Sequence, residues 1–360
     1  MHVTLKDIAK KLGVDKSAVS LALNDRTAGK LSAARVKQIR DMAEKVGYRP
    51  NLSAKHLARG KTQCIGVVLS FLDEYPYNHY FNLISQACDK VGYHAVPLSI
   101  GRRSLFESSQ TMNFGRVHVD GMIALEYLPA QDNSDLQERL QGHPLICRIS
   151  DPTIAIPDCP SVLVDYYQGT CNLLKHIVSR GWTKFQFVVE SDPIRPHVRN
   201  DGRPLAAHYE RAIRDTSKQL DLSIPFEEHM IRTPERGAKA RYDSMMAYLS
   251  SNRLESGVCL VQDGADGISG TYAALTKMGY VIGSDVAIAS LHAIPAWEHV
   301  EPLMSFTFER YEEISSLLVE LAVDAIEGRG GRLEKSPFVY STYLRMEDAV
   351  PDISRQFRSS

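Results

Sequence analysis

No apolar stretch in this 360-residue chain approaches the ~20 residues that a membrane-spanning helix needs, and Cys64 to Leu72 is about the longest. The opening Met1-His2-Val3-Thr4-Leu5-Lys6-Asp7 lacks the apolar centre of a signal peptide, so a cytoplasmic location is expected. Cysteine is sparse. The six residues Cys64, Cys88, Cys147, Cys159, Cys171 and Cys259 lie far apart, with no CxxC and no Cys/His cluster. That pattern gives no metal site and points to reduced packing residues rather than disulfides. A phosphate loop is also lacking: Gly60-Lys61-Thr62 resembles the end of one, but Lys55 stands where the motif requires glycine. No GxGxxG follows the first strand candidate, so a dinucleotide site is unsupported. With no nucleophile elbow either, the sequence offers no catalytic residue and no cofactor, and an enzyme is not expected.

What is present is a division of charge. The net charge of −1 conceals 14 basic and 5 acidic residues in positions 1–61, a net of +9, against 28 basic and 38 acidic in the remainder. A basic module on an acidic body suggests a polyanionic partner at one end only.

The basic segment reads as three short helices. Thr4 and Asp7 fit the spacing of a capping box, and Leu5, Ile8, Ala9 and Leu12 then share one helical face. Gly13 ends that helix because glycine accepts the left-handed conformation of a tight exit. Asp15 can cap a second helix from Lys16 to about Asn24, with Ala18, Val19, Ala22 and Leu23 inward. A third begins at Ser32, turns Val36, Ile39, Met42, Ala43 and Val46 inward, and stops at Gly47. Two short helices joined by a glycine-containing turn form a helix-turn-helix. The second helix leaves Lys16, Ser17, Ser20 and Leu21 near its start, where a recognition helix meets base edges. Lysine donates to guanine, serine serves base or phosphate, and leucine touches a thymine methyl.

Beyond Tyr48-Arg49-Pro50, a short piece from Asn51 to Gly60 can be capped by Asn51 and ended by Gly60, but it is too short to hold as a helix alone in water. At this point the chain closely resembles the LacI/GalR family of bacterial repressors. The resemblance rests on Val3-Thr4-Leu5-Lys6-Asp7-Ile8-Ala9, Gly13-Val14, Ala18-Val19-Ser20-Leu21-Ala22-Leu23-Asn24, Gly47-Tyr48-Arg49-Pro50-Asn51 and Ala54-Lys55-His56-Leu57-Ala58, in that order and spacing. It implies a homodimer that binds a pseudo-palindromic operator, with paired hinge helices in the minor groove and Leu57 wedged between base pairs. Such unstacking costs a few kcal/mol, offset by wider contact along the bent duplex. The family pattern gives base reading to Lys16, Ser17 and Leu21, and phosphate contacts to Thr4, Ser20, Asn24 and Ser32; Asn51 joins the DNA-binding set. Many relatives carry arginine in place of Leu21, so this operator is expected to differ from theirs.

From Cys64 onward, β-rich runs alternate with helical stretches. Strands are expected at Ile65–Leu69, His94–Leu98, Gly121–Leu125, Pro144–Ile149, Ser161–Val164, Phe185–Val189, Val258–Val261 and Val286–Ala289, with a helix near Tyr80 to Val91. Such alternation means α/β architecture with parallel sheets. The resemblance continues with the family's periplasmic-binding-protein-like core, through Val119-Asp120-Gly121-Met122-Ile123 and Gly279-Tyr280-Val281-Ile282-Gly283-Ser284-Asp285-Val286. It implies two doubly wound parallel-sheet lobes joined by three crossovers around a small-molecule cleft. The expected division is a headpiece at 1–48, a hinge at 49–61, a core at 62–348 and a tail at 349–360. Lobe 1 would take about 62–164 and 295–329, and lobe 2 about 165–294 and 330–348. The tail shows no leucine heptads of the kind that build tetramers, so a dimer is favoured.

Ligands of open α/β sheets sit beyond the carboxyl ends of strands. The expected effector-binding residues are therefore Phe71, Tyr77, Arg148, Tyr166, Arg203, Asp263 and His292, with Glu190 nearby. The departures from relatives bear on the ligand. Where sugar- and purine-sensing members carry an arginine four residues before the aromatic matched by Tyr209, this chain has Leu205; where they carry aspartate it has His292; and Gln262-Asp263 replaces an Asn-Asp pair. A carbohydrate or carbohydrate derivative is the expected effector, and Arg148 and His292 on strand ends suggest one with some negative charge. Two other readings stay open: a regulator that takes no effector, and a solute-binding protein, against which the basic headpiece argues.

Overall fold

The computed structural model describes residues 3–23, 31–48, 61–69, 72, 75–99, 118–125, 142–149, 159–190, 207–222, 230–233, 237–262, 267–292, 305–329, 337–345 and 352. The chain divides into two compact units, Met1–Thr62 and Gln63–Ser360.

In the first unit, helices α1 (Leu5–Leu12), α2 (Lys16–Leu23) and α3 (Ala33–Lys45) surround a core of Ile8, Ala9, Val19, Ala22, Ile39 and Ala43. The Asp7 carboxylate accepts from the Thr4 backbone N–H at 2.8 Å and from the Thr4 hydroxyl at 2.7 Å, closing the first turn. Gly13, at φ 62°, ends α1 and its N–H returns to the Ala9 carbonyl, as the left-handed exit requires. Asp15 caps α2 by accepting from the Ser17 N–H at 2.7 Å, and Ser32 caps α3 by accepting from the Arg35 N–H at 3.3 Å. Arg40 of α3 donates from Nε to the Ala22 carbonyl at 3.3 Å, tying down the end of α2.

The second unit holds two sheets of the same plan. The first runs β11-β5-β4-β3-β1-β2 and is parallel throughout, from β1 (Cys64–Leu69), β2 (His94–Ser99), β3 (Gly121–Ala124), β4 (Leu145–Ile149), β5 (Ser161–Asp165) and β11 (Phe338–Ser341). The other runs β12-β10-β9-β8-β6-β7, from β6 (Lys184–Glu190), β7 (Met230–Thr233), β8 (Val258–Gln262), β9 (Val286–Ser290), β10 (Ser305–Phe308) and β12 (Tyr343–Arg345). Only its edge pair β10–β12 is antiparallel. In each sheet the strand order reverses beside the first strand, between β1 and β3 and between β6 and β8, which marks a doubly wound fold. The central strands β3, β4, β8 and β9 are buried along their whole length, as parallel strands covered on both sides must be.

The helices of this unit are α4 (Tyr77–Lys90), α5 (Tyr166–Ser179), α6 (Ala207–Gln219), α7 (Ala238–Ser251), α8 (Ile268–Lys277) and α9 (Tyr311–Ile326). Helix α9 packs on β3, β4 and α4 of the first lobe, whereas α5 packs on α6 of the second. The chain thus changes lobe three times among the described residues: from β5 to α5, from β10 to α9, and from β11 to β12 through Thr342.

This corrects the expected lobe limits in two places. Strand β10, assigned in advance to the first lobe, pairs with β9 in the second; β11, assigned to the second, pairs with β5 in the first. The reason is local. Each of these strands extends the open edge left by the last parallel strand before it, so the change of lobe falls after the strand rather than before it.

Close packing of the crossovers leaves no room for a side chain at Gly169 of α5. A Cβ there would lie 1.7 Å from Thr342 Oγ1 and 3.6 Å from Thr307 Cγ2. Gly169→Ala is expected to cost at least about 1–3 kcal/mol through overpacking. Adding Thr342→Ala should restore part of that loss, as measured by urea unfolding.

Candidate functional site

In the headpiece, the first two residues of α2 are the accessible ones: Lys16 and Ser17 are exposed, Ser20 and Leu21 are half-buried, and Val19 and Ala22 face the core. Burial every three or four residues fixes the helix by one side and leaves its N-terminal half open. Thr4 and Ser32 are exposed at the starts of α1 and α3, and both also act in the caps described above. A helix start presents unpaired N–H groups, which suit a phosphate. Asn24, Asn51 and Leu57 lie outside the described residues.

In the body, Arg148, Tyr166 and His292 come together, and they do so around a residue that sequence reasoning did not find, Glu309. Arg148 is the fourth residue of β4, Tyr166 opens α5 at the first crossover, Glu309 follows β10 at the second, and His292 lies just past β9. Asp165 fixes the start of α5 by accepting from the Gln168 N–H at 3.0 Å, which sets the Tyr166 ring at the head of the helix. Arg148 Nη2 lies 2.9 and 2.8 Å from the two carboxylate oxygens of Glu309 and donates to the Tyr166 hydroxyl at 2.5 Å. The Tyr80 and Tyr166 hydroxyls each donate to Glu309, one to each oxygen. Arg148 is 9% exposed and Glu309 3%, so this ion pair lies in the interior.

Rings complete the surroundings. The Arg148 guanidinium carbon lies 4.9 Å from the Tyr80 ring centre, within cation–π range. Tyr311 meets Tyr80 and His79 edge-on at 5.0 Å each and Phe308 at 5.3 Å. On the other lobe, the Tyr209 hydroxyl is hydrogen-bonded to His292 Nε2, and His292 meets the Tyr166 ring edge-on at 4.8 Å. A continuous path of polar and aromatic side chains therefore runs from β4 through both crossovers to β9 and α6.

Burial alone would push the Glu309 carboxyl up, but the Arg148 charge and the hydrogen bonds from Tyr166, Tyr80 and Arg148 outweigh it and hold the group below its usual value. Burial, with the Glu309 charge nearby, pushes the Tyr80 and Tyr166 hydroxyls well up despite the opposing pull of Arg148, so both stay protonated as donors.

This arrangement removes one basis for expecting an anionic effector. Arg148 was a candidate for meeting a negative charge, but Glu309 already neutralises it. Tyr77 sits at the start of α4, half-buried against the core. Phe71, Arg203 and Asp263 lie outside the described residues, as does the side chain of Glu190. Tyr80 and Tyr209 join the site unforeseen. The sequence signal for Glu309 is a carboxylate closing the short run Ser305-Phe306-Thr307-Phe308.

Removing one partner of a buried ion pair leaves the other uncompensated, so Arg148→Ala is expected to cost about 3–5 kcal/mol. The double change Arg148→Met with Glu309→Gln should cost less than the two single losses combined. The pH dependence follows from the lowered Glu309 value. Its stabilisation is complete above the usual 4.5 and is lost as pH falls through the lower folded value. The wild type should therefore lose stability below about pH 4.5 more steeply than Glu309→Gln, as read from urea unfolding at successive pH values.

Residues 4–51 match the model of the bacterial regulatory proteins, lacI family. The transcriptional regulator MalR of Streptococcus pneumoniae is 26% identical over 194 residues, which are 52% of this chain and 57% of the relative, so the chain spans little more than half of that protein's length. The transcriptional regulator GalR of Salmonella typhimurium is 22% identical over 333 residues, covering 91% of this chain and 90% of its own. Among solved structures, a lac repressor dimer bound to operator and the anti-inducer ONPF superposes with a TM-score of 0.79 at 17% identity, over 96% of this chain and 98% of that one. A complex of the transcriptional regulator CelR with cellobiose gives 0.62 at 18% identity, with 96% and 98% covered. No helix among the described residues is long and apolar enough to cross a membrane. The headpiece thus matches the model of the lacI family of bacterial regulatory proteins over residues 4–51, and the body shares its fold with the lac repressor.

Proposed function

We propose that the chain is a sequence-specific transcription regulator, acting as a repressor. In this reading a homodimer binds a pseudo-palindromic operator through α2 and the hinge, under the control of a small molecule held between the lobes. The observation that carries it is the headpiece: a helix fixed by Val19 and Ala22 that holds Lys16 and Ser17 outward, in a segment of net charge +9. Structural relatives bound to operator, to cellobiose and to ribose support the same reading. Catalysis is not part of this reading.

Control requires that the ligand bind two states of the body unequally. The crossovers are where such states would differ, and Tyr166 and Glu309 stand on two of them. Since Arg148 is neutralised, the ligand is a neutral polyhydroxylated compound, a carbohydrate or close derivative, met by hydroxyl, imidazole and aromatic faces. Isothermal calorimetry should give heat with neutral sugars; heat only with phosphorylated or carboxylated ones would overturn the ligand class while leaving DNA binding untouched.

The operator is found by selecting sites from random duplex DNA. A pseudo-palindrome enriched by the wild type is expected to be bound about 5–150-fold more weakly by Lys16→Ala, with relaxed preference at one position of each half-site, the effect of losing a base contact of ~1–3 kcal/mol. Leu57→Ala should weaken binding at the centre of the site. Uniform weakening across all sequences by Lys16→Ala would move Lys16 from base reading to phosphate contact.

A further inference from the structure

Two cysteines that the sequence separates by eleven residues meet between β4 and the segment entering β5. Cys147 Sγ, on β4, lies 3.5 Å from Cys159 Sγ, just ahead of β5. Both are free thiols. Neighbouring parallel strands set the distance, since Cys147 pairs in register with Ser161 and its N–H donates to the Pro160 carbonyl at 3.0 Å. The Cys159 thiol points at the Leu145 carbonyl, 3.2 Å away, which turns its lone pairs toward Cys147. Cys171, by contrast, has the Ala212 carbonyl 3.9 Å from its sulfur.

We propose that Cys147 and Cys159 are a reversible dithiol–disulfide pair, a site of oxidation by hydroperoxides that clamps β4 to the segment entering β5. A disulfide needs about 2.05 Å between sulfurs, so the two must close by about 1.5 Å, which side-chain rotation supplies. The pair is unequal in access: Cys147 is 1% exposed, whereas Cys159 is only half-buried. The hydrogen bond with Cys159, together with burial, holds the Cys147 thiol well above its usual value, so Cys159 is the sulfur that meets the oxidant. Cys159 attacks one oxygen of the hydroperoxide, the O–O bond breaks, and the other oxygen leaves as water or alcohol. The resulting sulfenic acid is attacked by the Cys147 sulfur. The S–S bond forms as the S–O bond breaks, and the departing hydroxide takes the thiol proton and leaves as water. Two thiols lose two electrons and one hydroperoxide gains them.

The bond would join the strand that presents Arg148 to the segment entering β5, the strand that leads to Tyr166. Each cysteine lies close in sequence to a member of the buried cluster, so oxidation acts on the frame that holds it.

The test uses the full-length protein treated with equimolar hydrogen peroxide, followed by alkylation, denaturation and tryptic mapping. Cleavage after Arg148 places the two cysteines on separate peptides, so the bond appears as a linked pair. Because the second peptide also carries Cys171, Cys159→Ser identifies the partner. The wild type should lose two of its six titratable thiols, yield the linked pair, and recover both thiols with dithiothreitol. Cys159→Ser and Cys147→Ser, each checked for native circular dichroism, should yield no linked pair. A link that persists in Cys159→Ser, thiols untouched by a tenfold excess of peroxide, or Cys159 driven to its sulfinic acid without a link would each overturn the assignment.

Discussion

A buried carboxylate at a change of lobe organises the body of this protein. Glu309 follows the last parallel strand of one sheet, and it can keep its charge there only because Arg148 of the other sheet and two tyrosine hydroxyls face it. An ion pair in the interior adds little net stability over a well-packed apolar substitute, but it is intolerant of any arrangement that separates its members. It therefore acts as a register for the lobes: Arg148 comes from the first sheet, Glu309 from the end of the second, and Tyr166 from the segment that links them. The third crossover is held differently, by contact between Gly169 and Thr342 so close that no side chain fits between them. One constraint is electrostatic and the other steric, and α5 carries a residue of each, Tyr166 and Gly169.

The headpiece is built on other terms. Its core is small, with six buried apolar residues among those described, and small cores leave little stability to spare. Each helix start is accordingly fixed by a side chain, Asp7, Asp15 or Ser32, and helix α2 is tied to α3 by Arg40. These bonds set the direction of α2 more than they add to its cohesion, which suits a helix whose open half must meet a second molecule.

Much of this could be read from the residues, and the limits of that reading have physical causes. The headpiece was legible because its helices carry caps, a left-handed glycine and apolar spacing together, so several local signals agree. The central strands were legible as unbroken apolar runs. Strands β7, β10, β11 and β12 were not: they have three or four residues and mixed polarity, and pairing at a sheet edge makes them strands, not composition. The site divided in the same way. Strand ends named Arg148, Tyr166 and His292 because topology places ligands there, but whether an arginine awaits a ligand or already has a carboxylate depends on a contact across 161 residues of sequence. Local pattern carries no trace of such a contact. Glu309 was hidden behind the unread strand β10, and the lobe limits shifted for the same reason.

The neutralised arginine has a consequence for the conditions under which each end of the chain operates. On the proposed function, a headpiece of net charge +9 would bind its polyanion by displacing counterions, and such a grip slackens steeply as salt rises. The buried Arg148 cation, already matched by the buried Glu309 anion, has no counterions to release, and ions in the solvent scarcely reach it. On the proposed function, a change in ionic strength would thus retune how strongly DNA is held while leaving small-molecule binding at its original setting.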